Sequence, residues 1–319
     1  MRIKYIPIGM LLLSLTLLCS VTQYGQVSKY PALSGNKVVL KGDSGKWDFN
    51  KVHTLSVVEA NMDGYKYWGY YGLSYYGGNP NLRKAGLVRS NDLVHWDKYQ
   101  GNPIIKGDCR WPTIVLVNSV FYMFYAEYDA NNYSRIVMVT SKHGIVFDNK
   151  VVVVSREKGK QNQNPFIYFN KQDGYFYLTY YHGVESSNEK SKNIWQIKLR
   201  KSKDINNLEE ASSKTLLTSN QTIAAPSITF FNNKYYLLIE SIKDVKWGNK
   251  NKWVTLAYES NKADGKYKNL SNNPVLFDND ACAFQYVFDN QLYVFYSHCF
   301  DMTDITNSNW ELRMVKAVK

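Results

Sequence analysis

The sequence predicts an all-β protein, a five-bladed β-propeller of four-stranded antiparallel blades, and three observations carry that prediction. Five segments share one pattern of an alternating strand, a tight turn and a second strand rich in Tyr and Phe: "HTLSVVEANMDGYKYWGYYG", "PTIVLVNSVFYMFYAEYD", "NPFIYFNKQDGYFYLTYYHG", "APSITFFNNKYYLLIES" and "CAFQYVFDNQLYVFYSH". Aligning the second strands on Tyr67, Tyr122, Tyr177, Tyr236 and Tyr293 gives spacings of 55, 55, 59 and 57 residues, a period that suits one four-stranded blade. The composition, 45% hydrophobic and 15% aromatic, supplies a large core, and no long stretch repeats its apolar residues at 3.6.

The elements follow in order. "MRIKYIPIGMLLLSLTLLCS" places Arg2 and Lys4 before an apolar run from Ile6 to Leu18, the layout of a secretory signal. The run is shorter than the ~20 residues a spanning helix needs. Leu17 and Leu18 stand where a lipid anchor at Cys19 would want small residues. Residues 1–26 are therefore expected to be a signal peptide, the protein secreted or periplasmic, and residues 27–319 a single propeller domain. "NKVVLKGD" at 36–43 reads like "NPIIKGD" at 102–108 yet precedes the first hairpin. It is expected to close the ring as the fourth strand of blade five and so remove an exposed edge. The third strands are "KAGLVRS", "RIVMVTS", "WQIKLRKS", "WVTLAYES" and, in blade five, "NWELRMVKAVK". The remaining fourth strands are expected at "NPIIKGD", "KVVVVSR", "KTLLTSN" and "NPVLFDND".

The formal charge of +12 is scattered among Asn and Ser rather than clustered, which argues against nucleic acid as a partner. Without the signal no membrane span is expected, and the protein should be a monomer. Cys109, Cys282 and Cys299 fit neither a complete disulfide framework nor a zinc site. Free buried thiols are the expectation, a Cys282–Cys299 bridge remaining open.

In a propeller the first strand of each blade lines the channel, so the start of strand one and the end of strand two share one face. That face would collect Trp47, Asp48 and His53, then Tyr71, Tyr75 and Tyr76, from blade one. Blade two would add Asp108, Arg110, Trp111, Glu127 and Asp129, and blade three Asn162, Gln163, Asn164, His182 and Glu185. Blades four and five would add Ala224, Ala225 and Glu240, and Asp278, Asp280 and His298. Amides and carboxylates bond sugar hydroxyls, while indole and phenol rings stack on the apolar sugar faces. Glycosidic cleavage needs two carboxyl groups across the scissile bond.

The five-blade pattern, the "S-x-D" turns after strand three, "WDFNKVHTLSVV" and "NPFIYF" resemble the glycoside hydrolase superfamily of families 32, 43, 62, 68 and 130, most closely in the style of family 43, over residues 36–319. The resemblance implies a carbohydrate substrate and hydrolysis of an O-glycosyl bond in a funnel at the propeller centre. In family 43 an aspartate opening blade one is the base, an aspartate in blade two tunes it, and a glutamate two residues before the blade-three proline is the acid. This chain has His53 near the first position, Thr113 after the blade-two proline, and Gln163 at the third. Glutamine cannot act as a general acid. The catalytic candidates are therefore Asp48, Asp108, Glu127 and Glu240. Trp47, His53, Arg110, Trp111, Gln163, Asn164, His182 and His298 are candidates for binding sugar. Related families draw acids from other blades, and one uses a histidine, which keeps His182 and His298 eligible. The resemblance to arabinan-degrading relatives also admits a structural calcium in the channel, with His298 orienting its water, although no dedicated calcium loop is present. The alternative is a glycan-binding propeller without catalysis.

Overall fold

Each repeat folds into one antiparallel sheet, because every alternating strand finds its partner across the next turn. The computed structural model describes residues 27–74, 82–129, 133–184, 194–241, 253–301 and 307–318. Strand β1 (Leu33–Lys41) precedes blade one, which comprises β2 (Val52–Met62), β3 (Tyr65–Leu73), β4 (Gly86–Ser90) and β5 (Asp97–Lys98). Blade two comprises β6 (Arg110–Val117), β7 (Val120–Tyr128), β8 (Ser134–Ser141) and β9 (Asp148–Val154). Blade three is β10 (Lys160–Asn170), β11 (Tyr175–Val184), β12 (Ile194–Ser202) and β13 (Lys214–Ser219). Blade four is β14 (Ile223–Phe231), β15 (Lys234–Ser241), β16 (Val254–Ser260) and β17 (Lys268–Asn269). Blade five is β18 (Asp280–Phe288), β19 (Gln291–Cys299) and β20 (Trp310–Ala317), with β1 outermost. The pairing runs from Leu33 opposite Ala317 to Lys41 opposite Glu311, so the N-terminal strand closes the ring as expected. Residues 1–26, the expected signal, lie outside the described residues, as do Tyr75, Tyr76 and Glu185.

Two of the expected fourth strands are corrected. In blades one and four the outer strand is a two-residue pair, Asp97–Lys98 and Lys268–Asn269, rather than "NPIIKGD" and "NPVLFDND". The latter segments contribute only the bridges Ala85–Ile105 and Thr255–Leu276. Their prolines lack the N–H a ladder needs. Instead the Asn102 amide bonds both backbone groups of Leu87, each at 2.8 Å. Asn273 does the same for Ala257, at 2.7 and 2.8 Å.

The turns after strand three have a shared mechanism. Ser90 Oγ accepts from Asp92 and Leu93 N–H, Ser141 from His143 and Gly144, Ser202 from Asp204, and Ser260 from Lys262.

Every first strand carries a bulge at the same level. The register slips between His53 and Leu55, Arg110 and Thr113, Gln163 and Phe166, Ala224 and Ser227, and Ala281 and Phe284. Each slip holds a non-glycine residue at positive φ: Thr54 (49°), Trp111 (52°), Asn164 (48°), Ala225 (43°) and Cys282 (48°). Five strained residues therefore ring one end of the channel, and bulges re-aim side chains. The next layer joins the blades across the centre. Phe166 packs on Phe284 (centroids 5.0 Å) and Tyr286 (5.7 Å), and the Tyr286 hydroxyl donates to Ser56 Oγ at 2.9 Å. Hydroxyls lace neighbouring blades: Ser56 accepts from Ile114 N–H, Thr113 from Ile167 N–H, and Ser227 donates to Ala283 O.

Candidate functional site

The bulge ring determines which side chains share a level. Directly opposed residues of an antiparallel pair face the same side of their sheet. The pairs at this level are His53 with Gly72, Arg110 with Ala126, Gln163 with Tyr181, Ala224 with Glu240, and Ala281 with Ser297. Blades one to three thus bring an imidazole, a guanidinium and an amide, whereas blades four and five bring small residues, a hydroxyl and one carboxyl.

That carboxyl crosses a blade boundary. Glu240 Oε2 accepts from Cys282 N–H at 3.0 Å and from its thiol at 3.3 Å. Ser297 makes the corresponding clasp from blade five to blade one, its Oγ accepting from Thr54 N–H at 3.1 Å. A serine is enough to hold a bulge, so the carboxyl in blade four adds something the clasp does not need. Burial pushes the Glu240 carboxyl up to about 7, the two Cys282 bonds only partly opposing it. Burial likewise drives the Cys282 thiol far above its ordinary value.

One residue along the strands, Asp280 accepts from His298 Nδ1 at 2.8 Å, and Phe300 packs edge-on against the imidazole. Burial raises the Asp280 carboxyl, and His298 offsets part of the rise. Blade three carries the same pair with an amide: His182 Nδ1 lies 2.8 Å from Asn162 Oδ1. The Asn162 Nδ2 group donates to Ser155 O, so its oxygen faces the ring and His182 donates from Nδ1. Burial, with Lys198 nearby, lowers His182 to about 4. Gln163 donates its amide to Gln161 Oε1, which also accepts from Ser134 Oγ at 3.1 Å, and Asn164 is buried at its positive φ.

His53 is 2% exposed, sits edge-on to Trp310 at 4.9 Å, and leaves Nε2 without a hydrogen-bond partner. Burial lowers it to about 3, so it is neutral at ordinary pH. The Arg110 guanidinium lies 4.2 Å over Tyr128 and 5.5 Å over Trp111.

Three of the four carboxylate candidates are held by cations. Asp108 accepts from Arg83 at 3.0 Å and from Tyr128 N–H at 2.6 Å. Glu127 takes both Nε and Nη2 of Arg135, at 3.0 and 2.8 Å, and Lys150 on its other oxygen. Its burial would raise the carboxyl, but Lys150 and Arg135 together bring it below its ordinary value. Asp48, 1% exposed, accepts from the Tyr71 hydroxyl at 2.9 Å and from Lys98 at 2.7 Å. Trp47 stacks on Tyr71, which places the Trp47–Asp48 pair with the outer strands of blade one rather than at the bulge ring. Sequence reasoning ranked these carboxylates together with Glu240. It passed over the Cys282 clasp, whose only trace in the sequence is a cysteine two residues after Asp280.

The channel does not fit a calcium ion, which needs about six to eight oxygens. The rings of Phe166, Phe284 and Tyr286 pack on one another and offer it no carboxylate or carbonyl oxygen, and the hydroxyls of Ser56, Thr113 and Ser227 are already bonded between blades. Among the described residues no group of three or more His, Cys, Asp or Glu could hold a metal. No helix among them is long and apolar enough to cross a membrane. Cys109, Cys282 and Cys299 are free and buried, which closes the question of a Cys282–Cys299 bridge.

No protein-family model and no curated protein sequence matches the chain. Its likeness is to solved structures. The catalytic domain of a Coprinopsis cinerea family-62 α-L-arabinofuranosidase superposes with a TM-score of 0.66 at 12% identity, over 91% of this chain and 98% of that one. A thermostable family-43 glycoside hydrolase gives 0.61 at 16% identity, over 83% and 88%. An N-acetylgalactosamine deacetylase from F. plautii, in complex with blood group B trisaccharide, gives 0.66 at 13%, over 91% and 95%. The chain therefore shares the five-bladed propeller fold of family-43 and family-62 glycoside hydrolases. The third structure shows that this fold also serves a different reaction on a sugar.

Proposed function

We propose that the protein is a secreted glycoside hydrolase that cleaves an O-glycosyl bond of a polysaccharide or oligosaccharide at the bulge ring, with Glu240 as proton donor. The observation that carries this is the Glu240 carboxyl, buried beside Cys282 and held near 7. A general acid works best when its proton is half-available at the working pH. Asp280, on the same seam and kept by His298, is the second carboxyl of the pair. Arg110, Trp111, Gln163 and Asn164 bind the sugar from the opposite arc, and the Phe166–Phe284–Tyr286 layer gives it an apolar floor. The apolar leader and the solved-structure likeness support export and glycosidic chemistry. The test is turnover on a panel of aryl glycosides and plant, algal and microbial oligosaccharides. Hydrolysis by the parent, lost in Glu240→Gln and kept in Glu127→Gln, is the expected result.

One observation favours a second reading, a propeller that binds glycan without cutting it. The positions at which the resemblance expects carboxyls hold His53, Thr113 and Gln163. Calorimetric binding of a sugar that the parent never hydrolyses would decide for that reading.

A further inference from the structure

The crossing from β1 into blade one builds a pocket of its own. Asp43 and His53 stand ten positions apart, whereas Asp108 and Arg110 stand two apart at the crossing into blade two. The extra residues fold into consecutive turns: Lys46 N–H to Asp43 O (3.0 Å), Phe49 to Lys46 (3.2 Å) and Lys51 to Asp48 (3.1 Å). Gly42 permits this return, since a Cβ there would stand 2.0 Å from Asp48 O. The buried Asp48 fastens the turn. Its Oδ1 accepts from Asp43 N–H at 3.2 Å, and its Oδ2 from Tyr71 and Lys98. The Tyr71 ring lies across Gly86 of the third strand, where a Cβ would meet it at 2.5 Å. Lys98 belongs to the fourth strand of blade one, so three strand spacings, about 14 Å, separate it from the channel-lining strand. Trp47 lies flat on Tyr71, with centroids 5.7 Å apart and planes at 26°, and is only half-buried. Its accessible side therefore faces away from Tyr71. Trp47, Asp48, Tyr71 and Lys98, with Lys46 and Gln100, line a cavity of about 250 Å³ that is open to solvent.

We propose that this cavity is a carbohydrate-binding site separate from the channel, which takes one uncharged sugar unit of a polysaccharide or oligosaccharide. The indole offers a flat apolar platform for the C–H face of a pyranose or furanose ring. Donors and acceptors for hydroxyls surround it, from the Gln100 amide, the Lys46 ammonium and the Asp43 carboxylate. Lys98 has three N–H donors, and two carboxylates hold it at 3.0 and 2.7 Å, which leaves a donor for a ligand hydroxyl. Charge gives acidic ligands no local advantage: Asp43 and Asp48 formally cancel Lys46 and Lys98, so the pocket is neutral on a chain of net charge +12. The platform is preformed, because Asp48 ties the turn, the phenol and the ammonium together before any ligand arrives. Little ordering remains to be done on binding. The role is binding alone, and it holds whether or not the channel hydrolyses.

Affinity electrophoresis tests it, in native gels containing neutral arabinoxylan, arabinan, galactan or mannan, with polygalacturonate as the acidic comparison. The expected result is retardation by at least one neutral polysaccharide, insensitive to salt. It should be weakened roughly ten-fold in Trp47→Ala. Trp47→Ala uncovers Tyr71, so Trp47→Phe and the exposed-rim variant Gln100→Ala are run beside it, with melting curves. Weaker retardation in those two at parental melting temperature supports the site even where Trp47→Ala unfolds. Equal retardation of parent and all three variants overturns it. So does the absence of retardation in every neutral gel, or retardation by polygalacturonate alone that salt abolishes.

Discussion

Blade two and the seam between blades four and five hold carboxyl groups at neighbouring levels of the ring, in opposite electrical surroundings. In blade two, Asp108 meets Arg83, and Glu127 meets Arg135 and Lys150. At the seam, Glu240 meets a backbone N–H and a thiol, and among the described residues no cation pairs with it. The first arrangement surrounds a carboxylate with cations and spends its lone pairs, and it brings Glu127 below its ordinary value. The second desolvates a carboxyl without compensating charge, which is the way to hold a proton near neutral pH. A supply of acidic residues near a pocket is therefore weak evidence for catalysis. What distinguishes them is the partner each has been given.

The largest expected effect breaks the comparison in activity. Glu240→Gln should lower turnover about 1,000-fold, within the usual range for loss of a general acid. Glutamine still accepts the Cys282 N–H bond, so the clasp should survive. Glu127→Gln should leave turnover within a few-fold of the parent. Equal turnover in the parent and Glu240→Gln would remove the proton-donor role.

The next effect breaks it in stability. Arg83 is nearly buried, with 4% of its side chain exposed, so Asp108→Asn removes the charge of a shielded ion pair and should cost about 3 kcal/mol. The Glu127 partners are more exposed, Arg135 at 29% and Lys150 at 47%, and solvent screens them. Glu127→Gln should therefore cost only about 1 kcal/mol. Urea unfolding at pH 7 measures both. A reversed order would mean that geometry, not burial, governs these pairs.

Stability against pH sharpens the contrast. Glu240 moves from 4.5 to about 7 on folding, so the native state retains a proton the unfolded chain has lost. The stability from that proton is complete below 4.5 and is lost as pH rises through 7, about 3 kcal/mol in all. His53 has the opposite sign. Its value falls from 6.5 to about 3, so its contribution is complete above 6.5 and is lost as pH falls toward 3. The two slopes oppose each other between 4.5 and 6.5. Glu240→Gln should make stability rise more steeply with pH there, and His53→Phe should make it rise less, with His182 still adding a rise of the His53 sign. Parallel curves for the parent and both variants would contradict these assignments.

The same contrast explains what could be read from the chain. Hairpins and ring closure are local or repeated signals: "DG" and "NN" turns, the tyrosine period, and the likeness of "NKVVLKGD" to "NPIIKGD". The outer strands of blades one and four were misplaced, because an Asn side chain does the work of a strand there and strand patterning does not register side-chain amides. The site was harder for a related reason. Asp48 and Lys98 are fifty residues apart, Glu240 and Cys282 forty-two, and only the fold shows which carboxyl meets an ammonium and which a thiol. The level of the bulges is likewise invisible, since Thr54, Trp111, Asn164, Ala225 and Cys282 share a backbone angle and no side-chain chemistry.

The smallest expected effect concerns the thiol itself. Cys282 makes two bonds to the same Glu240 oxygen, a main-chain N–H bond at 3.0 Å and a thiol bond at 3.3 Å. Both favour the ionised carboxyl and oppose the upward push of burial. Cys282→Ala removes only the weaker donor and leaves the clasp in place. The carboxyl should then hold its proton slightly more firmly, and the alkaline limb of the pH–rate profile should move up by roughly half a unit. The rate at the optimum should stay near the parental value. Cys282→Ser, whose hydroxyl is the better donor, should move the limb the other way if it reaches Glu240. A limb unmoved by both substitutions would show that burial alone sets the Glu240 proton. Shifts of opposite sign in the two variants would show that the blade-five bulge tunes the blade-four acid.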